Sequence, residues 1–300
     1  MRSLANRITL YIPFNTRKQV YFMQHGIVSG AENSSAYEAH VIISHIVKTG
    51  EYLAGLADKT PQEILNRLLS SLVQMVSPAY GENFSRQVID HPHIAEKLSC
   101  LPAYLGECEY ALEKFWACKI ARDESDYTCF PYLGNYVALV RAELAVLEKH
   151  IDLQQDRMCF IGSGPMPISA FEIKRQYPAL TISCIDRENE ALDLAHKVGE
   201  LSGAKLQYIH APAQQLDYAD QAVIFIASMT TGKKELLRHI ARTGQNGTLI
   251  GIRSTEGLRK ILYKALDERD VPKEFKFLGK TEYKPEHVNT TLFYRLEKES

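Results

Sequence analysis

Several things are missing from this sequence of 300 residues, and each absence removes a class of function. There is no run of about 18 apolar residues. The N-terminal MRSLANRITLYIPFNTRKQ is basic but lacks the uninterrupted apolar stretch of a signal peptide. Membrane insertion and export are therefore unsupported, and a cytoplasmic protein is expected. Positive charge is not in excess either. A formal net charge of −1 leaves no basic face to neutralise phosphates, so no nucleic-acid partner is expected. The six cysteines, at 100, 108, 118, 129, 159 and 184, form no Cys-x-x-Cys pair and no zinc-site spacing. Reduced thiols follow, with Cys159 and Cys184 acting as small buried hydrophobes. His91-Pro-His93 invites a metal, but no cysteine or carboxylate cluster accompanies it, and it reads as a turn between helices. No metal requirement is expected. What is present, 45% hydrophobic and 24% charged residues, is ordinary for a soluble enzyme.

The chain changes texture near residues 150 to 157. Upstream, apolar residues recur at helical spacing in four groups: Ala39, Ile42, Ile43, Ile46 and Val47; Ile64, Leu65, Leu68, Leu69, Leu72 and Val73; Ala111, Leu112, Phe115 and Trp116; Val137, Leu139, Val140, Leu144 and Leu147. Thr60-Pro61-Gln62-Glu63 offers the second group an N-cap, a first-turn proline and a capping-box acid. Downstream, short apolar strands alternate with amphipathic helices: Met158 to Ile161, Leu180 to Ile185, Leu206 to Ile209, Ala222 to Ala227 and Thr248 to Ile252. Such alternation implies parallel pairing with right-handed crossovers. Glu274 to Leu278 and Thr290 to Leu296 leave little room for a helix between them and predict an antiparallel edge. The expected architecture is α/β: an N-terminal all-helical domain over 1–152, then a Rossmann-like sheet of the class I methyltransferase type over 153–300.

The first strand runs into Gly162-Ser163-Gly164-Pro165. Two missing Cβ atoms let the backbone turn sharply and let a ligand approach it, although a Gly-x-Gly after a strand is also simply a tight connection. Pro167 stands where a dinucleotide fingerprint has its third glycine, which turns the expectation from a nicotinamide or flavin towards another adenosyl ligand. Asp186 ends the second strand about two dozen residues on, where an acid can accept from ribose hydroxyls or cap the next helix.

FIGSGPMPIS at 160–169 resembles the glycine turn of nicotianamine synthases. FPYLGNYVALVRAELAVLEKH at 130–150, GTLIGIRSTEGLRKILYKAL at 247–266 and HVNTTLFYR at 287–295 resemble further ordered segments of that family, over roughly residues 100–296. The resemblance implies an enzyme with S-adenosylmethionine as co-substrate. It would move the 3-amino-3-carboxypropyl (aminobutanoyl) group to the amine of a small amino acid, histidine being preferred, and release 5′-methylthioadenosine in metallophore biosynthesis. By the same resemblance, GECEYALEK at 106–114 holds the catalytic glutamate, best matched by Glu107 and next by Glu109, and Tyr136 lines the reaction chamber. It also implies donor contacts from Gly162, Ser163, Gly164, Pro165, Asp186, Arg187, Ala213, Ala227 and Ser228. Acceptor contacts fall on Glu109, Tyr132, Met229, Arg253 and Tyr263, and a homodimer is expected by analogy.

The chemistry asks for such groups. An amine must lose a proton to become nucleophilic, so a carboxylate beside it is the natural base. Substrate carboxylates need cationic or hydrogen-bonding partners such as Arg and Tyr. Each candidate also has a plain alternative. Glu107, Glu109 and Glu113 together suit a solvated helix face, Tyr136 a core aromatic, and Arg253 a surface ion pair. Arg259 and Tyr263, four apart, suggest one face of a helix, with Arg259 open to solvation. Glu107 and Glu109 point about 200 degrees apart on a helix and cannot share one pocket. After the third strand, many family members carry an acid for the adenine, whereas this chain has His210-Ala211-Pro212-Ala213-Gln214 and would use Gln214 or a backbone carbonyl. The hydroxyls of Ser228-Met229-Thr230-Thr231 face the amine or cap the following helix. Three other readings stay open: a true nicotianamine synthase with repeated transfers, a small-molecule methyltransferase with a helical lid, and a nucleoside-binding protein without turnover.

Overall fold

The computed structural model describes residues 31–59, 61, 63–153 and 156–298. The expected capping box falls partly outside them, at Thr60 and Gln62. Helices α1 (Ala31–Gly55), α2 (Glu63–Val76), α3 (Glu82–Ile89), α4 (Pro92–Lys97) and α5 (Leu101–Asp123) form the first layer. Their apolar spacing buries Ala39, Ile42, Ile46, Leu53, Leu65 and Leu72 to 2% exposure or less. Pro92 opens α4 at its first turn, so His91-Pro-His93 is the start of a helix. In α5 the buried stripe departs from the expected one. Phe115 is 44% exposed, and Leu105, Cys108, Glu113, Ala117 and Ile120 face inward. A carboxylate thus stands among apolar residues.

Helix α6 (Leu133–Leu147) leads into the sheet. The strands are β1 (Arg157–Ile161), β2 (Thr181–Asp186), β3 (Gln207–His210), β4 (Val223–Ile226), β5 (Leu249–Ser254), β6 (Phe275–Lys280) and β7 (Thr290–Leu296). They lie in the order β3-β2-β1-β4-β5-β7-β6. The first five pair in parallel, and β7 inserts antiparallel between β5 and β6. Helices α7 (Ile168–Gln176), α8 (Asn189–Leu201) and α9 (Lys233–Thr243) make crossovers. This is the Rossmann-like, methyltransferase-type sheet expected from the strand–helix alternation.

Packing runs across the change of texture at residue 152. Val140, Leu144 and Leu147 of α6 are buried in one cluster with Met158 and Phe160 of β1 and Phe225 of β4. In return, Leu258, Ile261 and Leu262, which follow β5, are buried among α1, α2 and α5. Helix α5 therefore lies across the C-terminal edge of the parallel strands, where open α/β sheets place their ligands.

Candidate active site

The glycine turn after β1 is stitched to the end of β2. Gly162 N and Ser163 N donate to Ile185 O at 2.9 and 3.2 Å, and Gly164 N donates to Asp186 Oδ2 at 2.8 Å. Gly162 and Gly164 have φ of +73° and +66°, a region that only glycine occupies without cost. Space for a side chain is short as well. A Cβ on Gly162 would sit 2.6 Å from Thr230 Oγ1, and one on Gly164 would sit 3.0 Å from Glu113 Oε2. The other oxygen of Asp186 accepts from Glu188 N at 3.0 Å, closing its own loop and leaving the side chain beside the turn. Ser163 Oγ is buried without a hydrogen-bond partner.

Above the turn, α5 presents Glu109 and Glu113, four residues apart and on one face. Tyr263 OH donates to Glu109 Oε2 at 2.6 Å, and Tyr136 OH donates to Glu113 Oε1 at 2.8 Å. Burial raises both carboxyls above the usual range. Burial first and the neighbouring Glu109 second push Glu113 up to about 8. Burial, and then the nearby glutamates, hold the phenols of Tyr136 and Tyr263 well above their ordinary value, so both remain donors at neutral pH. Each carboxyl is thus disfavoured as an anion and has one oxygen fixed by a phenol.

Arg253 stands at the end of β5, as expected, but it is not a surface ion pair. Its Nε and Nη2 grip Glu143 of α6 at 2.9 and 3.0 Å, and Nη2 also reaches Ser169 Oγ at 2.7 Å. Thr291 Oγ1 donates to the same Glu143 oxygen at 2.6 Å. Only Nη1 stays out of these bonds, and the guanidinium acts electrostatically on Glu109 and Glu113.

The structure brings together Glu109, Tyr136, Gly162 to Pro165, Asp186, Arg253 and Tyr263. It does not bring Glu107 to them. That side chain is 59% exposed and pairs with Lys59 at 2.9 Å, because its place on α5 points away from the stripe containing Glu109. Tyr132 packs edge-on against Phe130 at the start of α6. Arg187 is 69% exposed. Ala213 lies in a short 3-10 turn, and Ala227 N extends the β1–β4 ladder to Ile161 O at 3.0 Å.

The expected helix carrying Arg259 and Tyr263 is a 3-10 turn over Gly257–Ile261, so the two residues share no helix face. Arg259 is 0% exposed. It donates to the carbonyls of His287, Ser77 and Lys284 and stacks on Tyr283 at 3.6 Å. It is neither site wall nor solvated. In the loop after β4, Thr230 Oγ1 turns back to Ile161 O at 3.3 Å, and Lys233 Nζ donates to Ser228 O at 2.5 Å. Glu113 and Glu143 were the residues missed. Glu113 had one available signal: Ala117 and Ile120 follow it at spacings of four and seven, which places a carboxylate on an apolar face.

A methyltransferase-type sheet, with a glycine turn tied to an acid on the neighbouring strand and two carboxyls above it, defines a Rossmann-like α/β protein. The family model described as nicotianamine synthase protein matches residues 34–300, and the chain belongs to that family. Nicotianamine synthase 2 of Arabidopsis thaliana is 26% identical over 276 residues, covering 87% of this chain and 85% of that protein. The nicotianamine synthase of Solanum lycopersicum is 23% identical over 273 residues, covering 85% and 83%. Among solved structures, a point mutant of MtNAS in complex with S-adenosylmethionine superposes with a TM-score of 0.75 at 21% identity, over 86% of this chain and 99% of that one. MtNAS in complex with MTA and tNA gives 0.74 at 21% identity, over 85% and 96%. At that identity the superpositions speak to the fold.

Proposed function

We propose that this chain is an S-adenosylmethionine-dependent aminobutanoyltransferase that acts on the amino group of a small amino acid, histidine being the preferred acceptor, and releases 5′-methylthioadenosine. The observation that carries this is the Glu109–Glu113 pair on α5, the first partly buried and the second buried against the glycine turn. An acidic pair whose nearest cation, Arg253, is already gripped by Glu143 suits a sulfonium donor and an ammonium acceptor, both positively charged. Membership of the nicotianamine synthase family supports the same reading, as does the S-adenosylmethionine complex of MtNAS.

The turn at Gly162 to Pro165 and Asp186 hold the nucleoside end, with Asp186 still able to accept from ribose through its remaining lone pairs. Arg187, Ala213 or Gln214, Ala227 and Ser228 border the same end. The acceptor lies along α5 with its amine at Glu109, between Tyr263, Tyr132 and the unpaired side of Arg253. Glu109 takes the amine proton, and its raised pKa suits a base working near neutrality. The freed nitrogen attacks the carbon of the aminobutanoyl chain attached to sulfur. The new N–C bond forms as the C–S bond breaks, and the electron pair leaves on the sulfur of methylthioadenosine. Any of three carbons on the sulfonium is chemically open to attack, so the choice is one of alignment. Glu113 is largely protonated at neutral pH. Fixed by Tyr136 and set against Gly164, it positions the donor without adding a second full negative charge.

A product assay tests this. The protein is incubated with S-adenosylmethionine and an amino-acid panel, and the nucleoside is identified by mass. Methylthioadenosine is expected. S-adenosylhomocysteine would make the protein a methyltransferase, and no product with any acceptor would make it a binding protein.

A further inference from the structure

One face of α5 meets the sheet edge at two points, both made possible by a glycine. At the first, Glu113 Oε2 lies 3.0 Å from where a Gly164 Cβ would be. At the second, the missing Cβ is on the helix itself: Met229 Sδ lies 3.1 Å and its Cγ 3.7 Å from the Cβ position of Gly106. Gly106 and Glu113 are seven residues apart, within about 20° of the same direction and about 10 Å along the helix. Glu109 stands between them. The space facing Glu109 is therefore bounded by the donor turn at one end and by Met229 at the other.

Met229 suits a stop. It is 37% exposed in the loop after β4, against Gly106 of α5. The loop is tied on both sides of it, by Lys233 Nζ to Ser228 O at 2.5 Å and by Thr230 Oγ1 to Ile161 O at 3.3 Å. An unbranched thioether on a fixed loop gives a close but adaptable wall. The two threonines that follow do not take that place, since Thr230 faces the glycine turn and Thr231 is exposed.

We infer that Met229 determines specificity by setting the length of acceptor that fits with its amine at Glu109. The inference rests on the aminobutanoyl transfer proposed above. After one transfer, the new primary amine reaches Glu109 only if the rest of the molecule shifts by one aminobutanoyl unit, roughly 5 Å, into the place of Met229. The stop thus ends the reaction after one group.

The test counts methylthioadenosine released per acceptor consumed, and weighs the product, for the full-length wild type, Met229→Ala and Met229→Leu, with S-adenosylmethionine and histidine of either hand. The wild type and Met229→Leu give one nucleoside per acceptor and a singly extended product. Met229→Ala raises the ratio towards two, with a doubly extended product. A ratio of one in Met229→Ala, or above one already in the wild type, overturns the inference and leaves the transfer chemistry standing. S-adenosylhomocysteine in place of methylthioadenosine overturns the chemistry, and the inference with it.

Discussion

Glu143 and Glu113 sit on neighbouring helices, both out of water, and the protein treats them in opposite ways. Glu143, 0% exposed, is gripped by two nitrogens of Arg253 and by Thr291, so its charge is answered within the fold. Glu113, 7% exposed, has a phenol for a partner and another carboxylate for a neighbour. Burial of a charge is tolerated when it is paired and costs several kcal/mol when it is not. The first carboxylate is therefore part of the framework. The second, with Glu109, has no such answer within the fold, and in the transfer proposed above that electrostatic deficit is met by a cation that arrives with the substrates.

The comparison is broken most directly at Glu109. Glu109→Gln keeps an acceptor for Tyr263 and removes the base, and methylthioadenosine release is expected to fall about a thousandfold with the fold intact. A variant that kept more than a tenth of its turnover would move the base elsewhere. Glu143→Ala tests the framework side. It leaves Arg253 buried and unpaired, with an expected loss of about 3–5 kcal/mol in denaturant unfolding.

Glu113→Gln sharpens the contrast through pH. The folded-state pKa of Glu113, about 8, lies above its unfolded value near 4.5. The folded protein therefore holds more protons, and the group's contribution to stability is complete below pH 4.5 and lost as pH rises through 8. Relative to wild type, Glu113→Gln is expected to gain at least about 1 kcal/mol at pH 9 and little at pH 4. In kinetics, Glu113 is already protonated on the acidic limb of the kcat/KM profile, so Glu113→Gln is expected to leave that limb in place. Glu107→Gln is the smallest change. An exposed ion pair with Lys59 is worth less than about 1 kcal/mol, and turnover is expected to hold.

The sheet was legible because each strand is a short apolar run between turn residues, and Gly162, Asp186 and Arg253 fall at strand ends by simple counting. The face of α5 was not. Periodicity drew the stripe through Phe115 and Trp116, whereas tertiary packing rotated the helix to bury Leu105, Cys108 and Ile120, and with them turned Glu113 inward and Glu107 out. The partner of Arg253 was equally hidden, since Glu143 lies 110 positions away and nothing local announces it. The segment after β5 has helical spacing on paper, yet Arg259 donates to three backbone carbonyls from distant parts of the chain, and these long-range bonds go with a tighter turn. Local pattern located elements and their ends, and long-range pairing decided which way they faced.

The crossing of the 152 boundary by α6 and by the residues after β5 bears on how the molecule comes apart. Because Leu144 and Leu147 complete the sheet's core while Leu258 and Ile261 complete that of the helices, neither half can open alone without baring apolar surface. Amide protons of α6 and β1 should exchange together as one protected unit, and a fragment beginning at residue 153 should aggregate. A site assembled from both halves is thereby kept whole whenever the protein is folded at all.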